Sequence, residues 1–516
     1  EVMLLWAPLL GQVVASIPSL TPLMFEHEPV SPGADVQRQG ALVYPGHTTN
    51  GGLNMSGEYV IQDPYHDYAI RFMHLMQRKY GWRAVCFYTN SYDWRMNHSR
   101  YPELRSSDLV SASYRLAPGG LPSFIEHLKA NHDVRAVVPF YEPSVLNCSR
   151  IAAGLDLSWA QPQVLDRFRD KRAFKQHVAA TDPSIRVNVG ALVASPDEAL
   201  QVVQREGFDR FVLKPNDGFG NVGIGIFDGN CSLGAVQEWW HAQDQPQLLL
   251  EEFIGGLEYH CDGQTDGAGN PVITDVFQYI RGLVNGRENI ELGSVQVPHQ
   301  SPLFAQIASY TERVVKASGL TRSPFHAEVK VDDRGPCLIE CAARLLGLSA
   351  APYINLIHGG SLDVFDHAAH YYATSDPYGD PGLNWESYDS RIVQQVNGVA
   401  TKTERIYDLV GIGDVESMGE FLYWLKEPKV GDRVHQTSDI FGSAYMALIQ
   451  APTSEDLTRA AEYIQRSIQW NHDRRSVSSV CSAAGAVIRR RSRQFPSLRE
   501  RRMPVFGPEE AVALSS

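Results

Sequence analysis

The feature that most constrains this chain is a glycine-rich loop between two apolar runs in residues 211–227. The first run ends in Lys214, and the second run begins at Ile224. Short apolar runs bounded by turn residues favour β-strands, so the segment predicts a β-hairpin. A loop of glycines can bring backbone N–H groups close to phosphate oxygens, and Lys214 would place a positive charge beside them. We therefore interpret the segment as a phosphate-binding hairpin.

The loop glycines Gly218, Gly220 and Gly223 have the G-x-G-x-x-G spacing of dinucleotide-binding folds and protein kinases. A dinucleotide-binding fold needs a helix directly after this loop, but residues 224–229 form an apolar run and a further turn. A protein kinase carries its lysine on a later strand, whereas Lys214 precedes the glycines. Context therefore argues against both folds, and an ordinary glycine-rich hairpin stays open as the alternative to phosphate binding.

A predicted strand that ends in acids follows at residues 248–258. Its apolar start leads into Glu251 and Glu252, and Glu258 comes after a glycine turn. The backbone at the end of such a strand can hold the edge of an adenine ring, and a later glutamate can accept hydrogen bonds from ribose hydroxyls. The segment therefore suits an adenine nucleotide.

A second acidic pattern lies in residues 324–344, which predict two strands around an Asp-Asp-Arg-Gly turn. Because side chains alternate along a strand, Glu328 and Glu340 can point inward from facing strands and share a hard cation. Magnesium prefers one or two carboxylates completed by substrate phosphates, so the pair suits Mg²⁺ with ATP, and Mn²⁺ could replace it. Two solvent-exposed glutamates on a hairpin are the alternative.

In their order along the chain, these segments resemble the ATP-grasp superfamily and, within it, the carboxylate-amine ligases typified by bacterial L-amino-acid ligases. The resemblance spans about residues 40–475 and implies an α/β (α+β) fold. That fold has an N-terminal Rossmann-like pre-ATP-grasp domain, a two-part ATP-grasp core and a C-terminal α+β domain. The motifs that carry the resemblance are Asp170-Lys171, Lys214 with its glycine loop, Glu251 through Glu258, His326-x-Glu328, and Glu340-x-x-x-Arg344 followed by Gly347.

The resemblance also implies a role for each motif. Glu328 and Glu340 would hold the magnesium ion, and Arg344 would steady the carboxylate being phosphorylated and its acyl phosphate. A two-pronged guanidinium fits planar carboxylate and phosphate oxygens better than a lysine does. The residues that would bind ATP are Lys171 and Lys214 at the phosphates, the glycines Gly218, Gly220 and Gly223 of the loop, Glu251, Glu252, Phe253 and Ile254 at the adenine, and Glu258 at the ribose.

The function implied is an ATP-dependent ligase that joins a carboxylate, expected to be an amino acid, to an amine. The reaction would pass through an acyl phosphate and release ADP and phosphate, with Arg344, Lys214 and His326 as candidate catalytic residues. Phosphoryl transfer depends mostly on positioning and charge neutralisation, which lysine, arginine and magnesium supply. His326 is a candidate base for the amine, and a structural histidine is the alternative. Arg281 and Arg287 lie where substrate contacts are expected.

One position departs from the wider superfamily. Many ATP-grasp ligases carry an asparagine two residues after the second metal glutamate, but this chain has Ala342. The amino-acid ligase branch is similar in having alanine there. Ala342 therefore keeps open a nucleotide-binding protein without ligase turnover. Among enzymes, the alternative is a ligase for a non-amino-acid or carrier-bound carboxylate, because the sequence does not fix which acid or amine the pocket selects.

The sequence pattern divides the chain into predicted units. Strand candidates at residues 41–44, 83–88 and 134–140 alternate with helical patterns near 66–80 and 121–131, which predicts a small parallel sheet. Further helices are predicted over residues 167–180, after Ser195 and after Thr453, where hydroxyl side chains can cap them. The units are an N-terminal extension (1–40), a pre-ATP-grasp domain (41–165), a lid subdomain (166–245), a core subdomain with the metal site (246–375), a C-terminal ligase domain (376–475) and a basic tail (476–516).

Composition limits the partners of the chain. A net charge of −13 argues against nucleic-acid binding, which needs a basic face. Seven cysteines without a C-x-x-C pair indicate neither a disulfide framework nor a cysteine zinc site. The apolar residues 3–16 lack a basic flank and are too short to span a bilayer, so we expect no membrane association and a cytoplasmic location. The expected partners are small carboxylates and amines, and a homodimer is one assembly that the sequence allows.

Overall fold

The structure, a computed structural model, describes residues 57–64, 67–89, 101–157, 162–220, 222–243, 245–347, 351–374, 378 and 381–471. The predicted strand at residues 41–44, the apolar N-terminal segment and the arginine-rich tail lie outside these residues. Within the described part of the chain, no helix has the length and apolar character that a membrane span needs. The boundaries of the predicted units stay predictions.

A parallel four-stranded sheet opens the described chain, in the order β3-β2-β1-β4. Helices pack beside it, and the βαβ pattern predicted from the sequence is confirmed. The sequence analysis did not predict two of the strands. These are the central strand β1 (Glu58–Gln62), which is almost entirely buried, and β3 (Val110–Arg115), in which serines interrupt the apolar pattern. The elements are β1 (Glu58–Gln62), α1 (Asp67–Tyr80), β2 (Arg83–Tyr88), β3 (Val110–Arg115), α2 (Leu121–Asn131), β4 (Val134–Val138) and α3 (Val145–Gly154), with short 3₁₀ turns at Pro102–Arg105 and Glu142–Ser144.

An antiparallel four-stranded sheet follows, in the order β5-β8-β6-β7. The predicted hairpin is confirmed, since β6 and β7 pair directly on either side of the glycine loop. Residues 248–252, which the sequence analysis assigns to the core subdomain, pair instead with β5 and β6 of this sheet. The elements are α4 (Pro162–Phe168), α5 (Lys171–Thr181), β5 (Gly190–Val193), α6 (Pro196–Glu206), β6 (Arg210–Lys214), β7 (Gly225–Asp228), α7 (Leu233–Trp240) and β8 (Leu248–Glu252).

An eight-stranded sheet forms the largest layer, in the order β13-β12-β9-β10-β11-β14-β19-β17. It runs without a break from β12 and β13, which carry the predicted metal carboxylates, to strands near the end of the described chain, because β11 pairs with β14. Its first part contains β9 (Leu257–Thr265), β10 (Pro271–Val284), β11 (Arg287–Gln296), α8 (Pro302–Ser318), β12 (Pro324–Asp332), β13 (Gly335–Ala342), α9 (Ala351–Ile357), α10 (Val364–Ala373) and α11 (Trp385–Ser390).

The last part of the chain adds short strands and one long helix. The helix predicted after Thr453 is confirmed: the Thr453 side chain accepts a hydrogen bond from the Asp456 backbone, and Leu457, Ala461 and Ile464 are buried. The elements are β14 (Ile392–Asn397), β15 (Glu404–Arg405), β16 (Leu409–Val410), α12 (Ile412–Glu416), β17 (Phe421–Lys426), β18 (Arg433–Val434), a 3₁₀ turn (Ile440–Gly442), β19 (Met446–Ala451), α13 (Ser454–Ser467) and β20 (Gln469–Trp470), with β15 paired to β18 and β16 to β20.

Candidate active site

A cavity of about 490 Å³ is lined by residues of both antiparallel sheets. Nearly all the site residues predicted from the sequence line it. Gly223 is the exception, although Val222 and Ile224 on either side of it do line the cavity. Of the two predicted substrate arginines, Arg281 lines the cavity, and Arg287 lies exposed at the turn between β10 and β11.

One wall of the cavity is apolar and offers a surface for a flat ring. The Phe253 ring contacts two cations, with the Arg210 guanidinium 4.4 Å and the Lys330 ammonium 4.5 Å from its ring centre. Lys330 also donates to the Ile254 carbonyl at 3.1 Å, which fixes the chain just after β8. The apolar residues of this wall are Val212, Ile224, Ile226, Phe253, Ile254 and Ile339.

Lys171 connects the start of α5 to the glycine loop and to β13. Asp170 caps the helix by accepting from the Ala173 backbone N–H at 2.8 Å, so Lys171 begins the helix and points into the cavity. The Lys171 ammonium donates to the Gly218 carbonyl at 2.5 Å and lies 3.0 Å from Glu340 Oε2. Lys171 thus bridges the glycine loop and Glu340, one of the two predicted metal carboxylates.

Glu251 and two lysines form a buried cluster under the loop. Lys214 lies 2.7 Å from Glu251 Oε2, and Lys175 lies 2.6 Å from Glu251 Oε1. Burial alone would raise the pKa of Glu251, but the two ammonium groups lower it to about 2. Burial lowers the pKa of Lys175 to about 8. Sequence reasoning missed Lys175, although it follows Lys171 by one helical turn and shares its face.

The glycine loop is attached to α5 and touches the last part of the chain. Asn216 donates to Asp170 Oδ1 at 2.8 Å and accepts from the Arg172 backbone N–H at 3.1 Å. Gly220 has a φ of +67°, and an added Cβ would lie 2.6 Å from the Phe441 ring. A side chain at Gly220 would therefore be strained and would collide with a neighbouring ring.

The predicted metal carboxylates lie opposite each other, since Glu328 and Glu340 are register partners on β12 and β13. Tyr279 donates its hydroxyl hydrogen to Glu328 Oε1 at 3.0 Å. Burial would raise the pKa of Glu328, but His326 and Arg281 lower it to about 2, so the group is a carboxylate near neutral pH. Two oxygen-bearing side chains on one cavity wall fit a magnesium ion that completes its shell with phosphate and water. Ala342 is buried and lies in register with His326.

His326 is held in a buried chain of polar groups. Its Nδ1 lies 2.9 Å from Asp262 Oδ1, and His260 Nδ1 lies 2.6 Å from Asp262 Oδ2. Burial would lower the pKa of His326, but Asp262 and Glu328 raise it to about 10. A histidine that is protonated near neutral pH cannot accept a further proton. The role of His326 as a base stays a prediction, and its surroundings favour the structural alternative.

Arg344 is oriented by Glu142, which lies in the turn that follows β4 of the parallel sheet. The Arg344 Nε lies 2.5 Å from Glu142 Oε2, while Arg169 Nη1 lies 2.5 Å from Glu142 Oε1. Arg169 also donates to the Asp217 carbonyl of the glycine loop. Glu142 follows β4 at the carboxyl end of the parallel sheet, a position where site residues often lie. Sequence reasoning missed Glu142, which is 202 residues from Arg344.

The predicted ribose ligand Glu258 contacts Arg281. Arg281 Nη2 donates to Glu258 Oε1 at 2.5 Å, and Arg281 Nη1 lies 3.6 Å from Glu291 Oε2. The guanidinium also lies 4.2 Å from the centre of the Tyr279 ring. Three acids, Glu258, Glu291 and Glu328, thus surround a single arginine.

Part of the chain that lines this cavity matches a known domain family. Residues 209–351 match the family model described as the ATP-grasp domain, so the chain carries that domain. The matched segment contains Lys214, the glycine loop and both predicted metal carboxylates.

Individual proteins resemble the chain in sequence or in fold. Dapdiamide A synthase of Enterobacter agglomerans is 25% identical over 242 residues, which are 46% of this chain and 56% of that protein. The chain thus aligns with little more than half of that relative. The L-amino acid ligase of Bacillus licheniformis superposes with a TM-score of 0.61 at 13% identity, covering 81% of this chain and 99% of that one. The biotin carboxylase domain of a Hydrogenobacter thermophilus 2-oxoglutarate carboxylase, solved with MgADP and bicarbonate, gives a TM-score of 0.55 at 15% identity, with coverage of 80% and 90%.

Proposed function

We propose that this chain is an ATP-dependent carboxylate-amine ligase. It would phosphorylate a carboxylate, expected to be that of an amino acid, and join it to an amine with release of ADP and phosphate. One observation carries the proposal: two lysines, two cross-strand carboxylates and an acid-anchored arginine converge on one cavity with an apolar wall. Each group matches one requirement of phosphoryl transfer to a carboxylate.

The nucleotide would lie between the apolar wall and the glycine loop. The aliphatic side chains of this wall offer a surface for adenine, and the backbone of Phe253 and Ile254 would hold its edge. Lys171 and Lys214 would bind phosphate oxygens, since both ammonium groups line the cavity. Lys171 already donates to the loop at Gly218, so phosphate binding and loop position would depend on each other.

The carboxylate substrate would bind at Arg344. Glu142 fixes the Nε side of its guanidinium, which limits how the group can turn towards the cavity. A fixed planar donor neutralises a carboxylate and then the acyl phosphate formed from it. The new bond joins a carboxylate oxygen to the γ-phosphorus of ATP, and ADP leaves. Attack by the amine at the carbonyl carbon then expels phosphate.

Glu328 and Glu340 are the residues that would hold magnesium. When bound, the ion would neutralise charge on the nucleotide phosphates. Lys171 lies 3.0 Å from Glu340 and would keep this carboxylate in place beside the phosphates.

Relatives favour this reaction class over the alternatives. One structure that shares the fold is named an L-amino acid ligase, and the curated relative is named a synthase of dapdiamide A. The buried position of Ala342 leaves the two glutamates as the protein ligands that we propose for the metal.

The test is nucleotide turnover with substrate pools. Purified protein is incubated with Mg-ATP and pooled amino acids, and ADP, AMP and phosphate are separated and quantified, with Glu340→Gln as the control. We expect ADP and phosphate that depend on both the pool and Glu340. Formation of AMP would contradict the proposal, and so would turnover that Glu340→Gln leaves unchanged.

A further inference from the structure

Three neighbouring strands present a row of polar side chains to the cavity. Tyr279 on β10 is the register partner of Ser294 on β11, and Ser294 is the register partner of Gln395 on β14. Glu291 precedes Ser294 by three residues on β11, across an irregularity in the pairing with β10 that keeps both on the same face, and all four residues line the cavity. None of these positions belongs to the predicted nucleotide or metal set. The row therefore forms a separate part of the cavity surface.

Glu291 differs from the other cavity acids in its contacts. Its nearest polar partners among the described residues are Gln395 Nε2 and Asn397 Nδ2, both at 3.5 Å, and Arg281 Nη1 at 3.6 Å. The other acids that line the cavity each have a partner at 3.0 Å or closer: Glu142, Glu251, Glu252, Glu258, Glu328 and Glu340. Glu291 thus has no close partner in the part of the chain that the structure describes.

A carboxylate in this position calls for a cation. The Glu291 side chain is 12% exposed, so water solvates it poorly. Arg281 is shared with Glu258, which holds it at 2.5 Å, and Glu328 adds a further negative charge nearby. Burial raises the pKa of Glu291 to about 7, because Arg281 only partly offsets burial and the charges of Glu328 and Glu258. A bound cation would favour the ionised form of Glu291.

We propose that Glu291, Ser294 and Gln395 bind the primary ammonium group of an amino-acid or amine substrate. An ammonium group has three donors, and this row offers three acceptors in the carboxylate, the hydroxyl and the side-chain amide oxygen. A single positive charge suits the site better than a divalent ion, because Arg281 lies 3.6 Å from the same carboxylate. The ammonium could belong to the amino acid that is phosphorylated or to the amine that attacks, which would first lose a proton to solvent so that its nitrogen lone pair is available. The inference rests on the proposed function, because it names the substrate group that the same cavity recognises.

The test measures binding apart from turnover. Isothermal titration with a non-hydrolysable ATP analogue and magnesium present follows the binding of amino acids and of matched carboxylic acids that lack the amino group. We expect Glu291→Gln to weaken amino-acid binding about tenfold to a hundredfold, the range for lost hydrogen bonds to charged groups. The deaminated acids and the nucleotide analogue should bind both proteins equally.

Matched variants separate the outcomes. Glu288→Gln, on the same strand at an exposed ion pair with Arg210, should leave all affinities unchanged. If Glu291→Gln does not fold, Gln395→Leu tests the same row. Weaker binding of the amino acid that is phosphorylated would assign the ammonium to that substrate, and a higher KM for the amine alone would assign it to the attacking group.

Two results would overturn the inference. Unchanged amino-acid affinity together with an unchanged KM for the amine in Glu291→Gln would exclude the ammonium site, and weaker binding of the nucleotide analogue with magnesium would assign Glu291 to the nucleotide or metal. The proposed function fails separately: if the wild type binds amino acids through Glu291 but releases no ADP, the ammonium site stands without the ligase.

Discussion

The buried cluster of Glu251, Lys175 and Lys214 predicts a large stability cost for Glu251→Gln. The two ammonium groups lie 2.6 and 2.7 Å from the carboxylate, and Glu251 is 2% exposed. Replacement by glutamine keeps the volume but leaves two lysines without their shared counter-charge. Buried charges without partners are strongly unfavourable.

The magnitude follows from the pKa of Glu251, which the two lysines lower from 4.5 to about 2 against the effect of burial. At about 1.4 kcal/mol for each pH unit, this lowering corresponds to about 3 kcal/mol. Removal of one partner of a buried ion pair costs about 3–5 kcal/mol. Lys175, whose pKa burial lowers to about 8, can lose its proton in the variant, so we expect the lower end of that range.

Hydrogen exchange of β6 and β8 measures this cost where it arises. At pH 7, Glu251→Gln should lower the opening free energy of these strands by about 3 kcal/mol. Glu252→Gln is the control, because its partner Arg334 is half exposed and such pairs contribute under about 1 kcal/mol. Because the folded-state pKa of Glu251 is lowered, its contribution is full above pH 4.5 and is lost as the pH falls towards 2. Equal protection of the two variants at pH 7 would refute the reasoning.

Three further predictions concern the nucleotide and the substrate. Lys214→Ala should weaken ATP binding at least tenfold by calorimetry, because one charged phosphate contact is lost, whereas Glu340→Gln should still bind ATP; equal affinities in the two variants would count against this. Gly220→Ala should slow turnover and lower loop protection, because its φ is +67° and the new Cβ would meet Phe441; unchanged kinetics would show that the loop adapts. Arg344→Lys should reduce kcat at least a hundredfold while ATP affinity holds, and a normal rate of acyl-phosphate formation would mean that the carboxylate is anchored elsewhere.

The local parts of the structure could be predicted from the sequence. The hairpin around Lys214 follows from apolar runs on either side of glycines, and the facing of Glu328 and Glu340 follows from strand alternation. The final helix follows from the cap at Thr453. These features depend on residues that are close neighbours in the sequence, so local sequence patterns are enough to predict them.

The contacts that join distant segments could not be predicted in this way. Glu142 and Arg344 are 202 residues apart. Glu142 follows β4 and Arg344 follows β13, and no local sequence pattern indicates that these two strand ends meet. The sequence pattern places residues 248–252 at the start of a new unit, but in the structure this strand, β8, pairs with β6 of the earlier hairpin. The short contacts of other acids and the long contacts of Glu291 likewise depend on three-dimensional packing.

The most direct test of the central claim follows an oxygen atom. A carboxylate substrate labelled with ¹⁸O in its carboxyl group is incubated with Mg-ATP and an amine, and the released phosphate is examined by mass spectrometry. An acyl-phosphate ligase must transfer one carboxylate oxygen to phosphate, so we predict phosphate with one ¹⁸O atom and an equal amount of ADP. Release of unlabelled phosphate alongside amide formation would contradict the account.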